Sequence, residues 1–182
     1  RLDYFGNRTT YFSIQRPHEQ MKVTATSEVD IRPGAAIDSS PPWESIVEQL
    51  RNPFDAETIA ARQFSLDSPM VRIDQELAEY AEPSFVPGRP YVDAVNDLMQ
   101  KIFNEFKYDP EFSSIATPLK EVMQHRSGVC QDFAHLAIGC LRARGLAARY
   151  VSGYIETLPP PGKEKLVGAD ASHAWFSVFI PG

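Results

Sequence analysis

Cysteine is scarce in this chain, with only Cys130 and Cys140 among 182 residues. Two thiols exclude a disulfide-stapled scaffold and suit a reducing compartment, so a cytoplasmic location is expected. Cys130, Cys140, His135 and His173 do not fall into a zinc-ligand spacing, and no metal site is expected. Neither GxGxxG nor GxxxxGK occurs, which argues against nucleotide binding, and no cofactor is expected. No apolar run approaches the roughly 18 residues of a membrane span. The first residues, RLDYFGNRTT, have no apolar signal-peptide core, and no membrane association is expected. The 18 Lys and Arg are scattered and outnumbered by 24 Asp and Glu, so nothing suggests a nucleic-acid partner.

What is present is ordinary for a globular chain: 43% hydrophobic and 23% charged residues. The length suffices for one well-buried core, or for one domain plus a piece of another. Residues 1–32 read as β. Thr9–Arg16 and Met21–Ile31 are rich in Val, Thr, Ile and aromatics and flank a turn-like PHEQ, the pattern of a hairpin. Two strands alone bury too little to be stable, so this part is expected to be the remnant of a larger β domain.

Residues 33–70 read as a connecting segment with short helices. Trp43, Ile46, Val47 and Leu50 recur at helical spacing after a Ser-Pro start, and a second short helix is expected over Ala56–Gln63. Residues 71–182 read as the main core. A helical pattern at Val71–Ala81 precedes a stronger one at Pro90–Lys107, where Tyr91, Val95, Leu98 and Ile102 recur at three- and four-residue steps. Thr117 is placed as the cap of a further short helix. Cys130–Arg144 forms a helix with Phe133, Ala134, Ala137, Ile138 and Leu141 on one face, and Gly145 is placed for a left-handed stop. Ala147–Glu156 and Ser172–Ile180 are strands by alternation, joined by a Pro- and Gly-rich loop at Thr157–Ala171. The fold class is α+β.

A thiol is a nucleophile as its thiolate, and a helix N-terminus or a neighbouring imidazolium favours that form. Cys130 stands at a helix start just after Gly128, where free backbone N–H groups would also hold an oxyanion. The competing reading is a small buried residue. Asp132 suits the first helical turn, where a carboxylate complements the dipole; it also opposes a thiolate, and a structural role is expected for it. Cys140 lies ten residues on from Cys130, about 15 Å along one helix, too far for a disulfide. Among four histidines, His135 is on a different face of the helix from Cys130, His125 precedes the turn, and His18 sits in the β part. His173 begins a strand and shares a face with Trp175, Ser177 and Phe179. It is either a general base opposite Cys130 or an edge-strand histidine packed on Trp175.

The stretch GVCQDFAHLAIGCLRARGLAARYVSGYIE, followed by DASHAWFSVFIPG, resembles the core motifs of the bacterial transglutaminase-like family. The shared pattern is Gly-x-Cys-x-Asp opening a helix, Arg-x-x-Gly closing it, Tyr-Val-Ser-Gly-Tyr on the next strand, then Ser-His-Ala-Trp. YFGNRTTYFSIQRPHEQMKVTATSEVDI resembles the last strands of the β domain that precedes the catalytic domain in that group. The resemblance implies a papain/transglutaminase-like core, helices packed on an antiparallel sheet, preceded by remnant strands of a β-sandwich. It implies Cys130 as nucleophile and His173 as general base in cysteine-dependent amide hydrolysis or acyl transfer, with a peptide or protein amide as substrate. The family's third residue, an Asp on the strand after the His, is expected beyond Gly182, since Asp170 stands on the wrong side of His173. By the resemblance the chain is a fragment trimmed at both ends. Tyr150, Tyr154 and Trp175 are core aromatics or cleft residues. The alternative reading is a catalytically silent relative that binds a protein or peptide.

Overall fold

The structure, a computed structural model, describes residues 1–26, 28–30, 32, 34, 37, 39–114, 117–155 and 172–181. The loop expected at Thr157–Ala171, with Asp170 in it, lies outside the described residues. The chain divides into two units, Arg1–Ala35 and Ala36–Gly182.

In the first unit, Asp3 organises a turn by accepting the backbone N–H groups of Phe5 and Asn7 at 2.9 and 2.8 Å. Gly6 occupies it at φ +85°, a backbone region that L side chains rarely adopt. Leu2 and Arg8 form one antiparallel bridge across this turn. Among the described residues from 9 to 30 no strand ladder forms, so the hairpin expected there is absent from them. Tyr11, Phe12, Ile14, Met21 and Val23 are exposed. A pleated segment holds its shape by burying one face, and here these apolar side chains bury little.

The second unit carries the core. Its helices are α1 (Trp43–Arg51), α2 (Ala56–Arg62), α3 (Gln75–Ala81), α4 (Tyr91–Glu105), α5 (Leu119–His125) and α6 (Cys130–Ala143). Its strands are β1 (Lys107–Tyr108), β2 (Ser127–Gly128), β3 (Ala148–Tyr154) and β4 (Ser172–Val178). Asp55 and Asp74 cap α2 and α3, each side chain accepting the N–H three residues on. Ile46, Val47 and Leu50 of α1 and Ala61 of α2 join the same buried cluster as α4 and α6. The helices expected in a connecting segment therefore supply core to this unit.

Thr117 does not cap α5, which starts at Leu119 after Pro118. Its hydroxyl instead accepts the Ser114 N–H at 2.8 Å, closing a local turn. The helix α6 is central. Besides the expected face, Leu136, Gly139 and Cys140 are also buried, as α3 and α5 approach from the other side. A helix apolar around its whole girth is one enclosed by neighbours. Burying Leu136, Ile138 and Leu141 contributes about 2 kcal/mol each. At its C-terminus Gly145 takes φ +80°, and its N–H donates to Arg142 O at 2.8 Å while Leu146 N–H donates to Leu141 O at 3.0 Å. That paired closure is the helix stop the Gly predicts. The chain then runs back along α6 as β3, and β4 pairs antiparallel with it, Tyr150 opposite Phe176 and Gly153 opposite His173.

Candidate active site

The turn that delivers Cys130 is built in three steps. Arg126 takes a left-handed conformation at φ +52°, held by its guanidinium, which lies 4.9 Å from the ring centres of both Tyr80 and Phe106 and 3.4 Å from Glu105. Next, β2 pairs in parallel with β1: Lys107 N–H donates to Arg126 O at 2.8 Å and Asp109 N–H to Gly128 O at 2.9 Å. Finally Val129, extended, leads into α6, and its N–H donates to the Asp132 carboxylate at 2.8 Å. Cys130 is thus the first residue of a 14-residue helix and half-buried. The free N–H groups of the first turn give that end a partial positive charge.

Gly128 is explained by the same turn. A Cβ on it would stand 2.8 Å from Asp132 Oδ2 and 2.9 Å from Asp132 Cβ, so only glycine lets the carboxylate fold back onto the turn. Asp132 itself is 3% exposed. Gly-x-Cys-x-Asp therefore has a structural logic in which the first and last members depend on each other.

Cys140 is far along the same helix and wholly buried, and burial pushes its thiol up to about 12. Both cysteines are free. His135 places its ring 5.1 Å from that of Tyr150, so Tyr150 and its partner Phe176 turn toward α6. Tyr150 is raised above its ordinary range, first by burial and then by the charge of Cys130. Sequence reasoning missed that His135 seats Tyr150; the signal for it was the spacing of a helical His against a strand aromatic.

His173 is half-buried on β4, opposite Gly153. Alternation puts it with Trp175 on the face away from Tyr150. Trp175 lies across Gly153, where a Cβ would meet its ring at 2.7 Å, and is itself 39% exposed. Among the described residues no hydrogen bond joins Cys130 to His173. Counting from the His135–Tyr150 contact, Cys130 is five residues back along the helix, about 7.5 Å. Gly153, with His173 opposite, is three residues on along β3, about 10 Å in the same direction. Cysteine and histidine thus stand at the same end of the helix–sheet layer. Among the described residues no three His, Cys, Asp or Glu side chains gather to hold a metal. No helix among them is long and apolar enough to cross a membrane.

Residues 79–182 match the transglutaminase-like superfamily, and residues 1–30 match the bacterial transglutaminase-like N-terminal region. The chain belongs to the transglutaminase-like superfamily. An uncharacterized protein of Mycobacterium tuberculosis is 44% identical over 187 residues, covering 98% of this chain and 57% of that protein. One from Mycobacterium leprae is 26% identical over 185 residues, covering 100% of this chain and 62% of that protein. The chain therefore spans about three-fifths of these relatives. A crystal structure from Cytophaga hutchinsonii, named "Putative Cysteine Protease", matches with a TM-score of 0.56 at 24% identity, over 71% of this chain and 40% of that one. The transglutaminase-like fold, an α+β arrangement of helices on a small antiparallel sheet, is common to both.

Proposed function

We propose that the protein performs cysteine-dependent acyl chemistry on a peptide or protein amide, with Cys130 as nucleophile and His173 as general base. The observation that carries this reading is a half-buried thiol at the start of α6, in a transglutaminase-like chain, level with a strand-borne histidine. His173 is the second residue of β4. Alternation sets it on the outer face, so the reading requires the strong twist of a two-stranded ribbon to bring the imidazole round the ribbon's end toward the helix N-terminus. Catalytic hydrogen bonds are often long before substrate binds, which fits the lack of one between the pair.

The Cys130 thiolate attacks the carbonyl carbon, forming a C–S bond and an oxyanion held by backbone N–H groups at the helix start. The imidazolium of His173 gives its proton to the leaving nitrogen as the C–N bond breaks, leaving a thioester. Water or an amine then attacks the thioester carbonyl as His173 takes its proton, and the C–S bond breaks to release the Cys130 thiolate with a carboxylic acid or a new amide. The name of the Cytophaga hutchinsonii protein favours the hydrolytic outcome.

Iodoacetamide labelling against pH tests this. Cys130 is expected to react at least about tenfold faster than a free thiol below pH 7, with Cys140 silent in the native state, and His173→Ala to abolish the advantage. Slow labelling of Cys130 that tracks an ordinary thiol, unchanged by His173→Ala, refutes the proposal and leaves the scaffold as a binding module.

A further inference from the structure

Asp132 is a buried carboxylate that the proposed reaction does not use. One of its oxygens, Oδ2, accepts both the Val129 N–H at 2.8 Å and the Ser113 hydroxyl at 2.5 Å. Ser113 lies 19 residues upstream, in the loop that follows β1. That loop touches the nucleophile turn at two further points. Asp109 N–H donates to Gly128 O at 2.9 Å, and the Phe112 ring lies 5.3 Å from that of His125. A carboxyl group at 3% exposure is costly to bury without partners, and here two donors on a single oxygen compensate.

The arrangement is also in tension with the chemistry. A negative charge two residues from Cys130 opposes a thiolate, yet the carboxylate stands in the first turn of the nucleophile's own helix. Gly128 carries no side chain where one would displace this carboxylate. A charge that burdens the nucleophile and is built in so tightly needs a compensating purpose. The hydrogen bonds supply it: they fix Val129, and hence the direction in which the first free N–H groups of α6 and the Cys130 side chain point.

We infer that Asp132, bridged to Ser113, is a positioning residue for Cys130, a clamp that locks the nucleophile turn to the loop at 109–114. This rests on Cys130 being the nucleophile. The clamp acts through the geometry of an acceptor oxygen, while its charge works against it, and the two contributions separate by substitution. Asp132→Asn keeps an acceptor for Val129 N–H and Ser113 and removes the charge. Asp132→Ala removes both. Ser113→Ala removes one donor from an exposed-side loop and leaves every core contact in place.

The test is the pH profile of Cys130 alkylation in the full chain, with circular dichroism to verify folding. Asp132→Asn is expected to raise the rate at pH 6 by at least about two- to threefold, the effect of removing one unit charge about 7 Å away even under full water screening. Asp132→Ala is expected to lower it about tenfold, toward the profile of an unstructured thiol, and Ser113→Ala to lower it about threefold. If Asp132→Ala fails to fold, Ser113→Ala decides. Wild-type profiles in folded Asp132→Ala and Ser113→Ala would overturn the inference, as would Asp132→Asn falling together with Asp132→Ala. Those results leave a reactive wild-type Cys130 intact. A wild-type profile that already matches a free thiol brings down the proposed reaction and this clamp with it.

Discussion

Replacing Arg142 by methionine removes a buried cation that holds three pieces of chain together. The guanidinium is 8% exposed and donates to Phe64 O at 2.8 Å, Ser68 Oγ at 2.9 Å and Ala148 O at 3.1 Å. None of these acceptors is charged, and burial lowers the affinity of Arg142 for its proton, with Asp67 opposing from a distance. Hydrogen bonds from a charged donor are worth about 1.5–3 kcal/mol each, so three amount to roughly 4.5–9 kcal/mol. Relieving the desolvation of the cation returns several kcal/mol of that. Two carbonyls and a hydroxyl are left without their donor, and the net loss is about 3 kcal/mol. Lysine reaches one acceptor instead of three and should lose about 2 kcal/mol. Urea unfolding followed by the fluorescence of Trp43 and Trp175 is the assay. With a slope of about 2 kcal/mol per molar, Arg142→Met should lower the midpoint by about 1.5 M. A midpoint within about 0.3 M of wild type, or above it, would show that the methionine side chain compensates for the lost donors and would refute the reasoning.

Two further outcomes follow from buried groups. Burial depresses the proton affinity of His135 below its ordinary 6.5, Asp132 opposing and Arg142 assisting. The unfolded chain therefore binds the proton first. The stability tied to a neutral His135 is fully present above 6.5 and declines as pH falls below it. Melting temperatures at pH 7.5 and 5.5 should differ more in wild type than in His135→Gln; an equal difference would exclude His135 as the source. Tyr91 is wholly buried, its hydroxyl has no partner among the described residues, and burial raises it strongly. Tyr91→Phe should therefore stabilise the protein by about 1 kcal/mol in the same urea assay, and a comparable loss would reveal a hydrogen bond to that hydroxyl.

Local periodicity carried much of the second unit. The three- and four-residue steps of α4 place Tyr91, Val95, Leu98 and Ile102 in the core, and alternation identifies β3 and β4. Position relative to a turn also carried: Gly145 stops α6 where a left-handed residue was needed. What depends on distant neighbours was illegible. Gly139 looks like part of a second, neutral face until Leu77 and Val71 arrive against it. Thr117 has the chemistry of a helix cap, yet Ser114 claims its hydroxyl. The segments at 9–16 and 21–31 have strand composition, yet the described residues among them form no ladder, since composition does not supply the partner a strand needs. At the site, Cys130 and the helix that carries it could be read from residues; the Ser113–Asp132 bridge could not, since nothing in a loop serine announces a contact 19 residues away.

The motif residues differ in what the fold asks of them. Gly128 makes room for Asp132, and Asp132 fixes the turn. Arg142 ties the end of α6 to Phe64, Ser68 and Ala148, and Gly145 reverses the chain. Gly153 admits the Trp175 ring. Arg142, Gly145 and Gly153 have a packing or backbone reason to be the residues they are, and a relative that had lost all chemistry would still need them. Gly128 and Asp132 instead serve the turn that presents Cys130. Cys130 and His173 have no such reason. Among the described residues neither side chain makes a hydrogen bond or a ring contact, and each is half-buried. Alanine or serine would satisfy the fold at position 130, and a polar side chain of similar size would do so at position 173. On the proposed reaction a thiol and an imidazole at those two places serve reactivity, so the labelling of Cys130 against pH discriminates where a stability measurement would not.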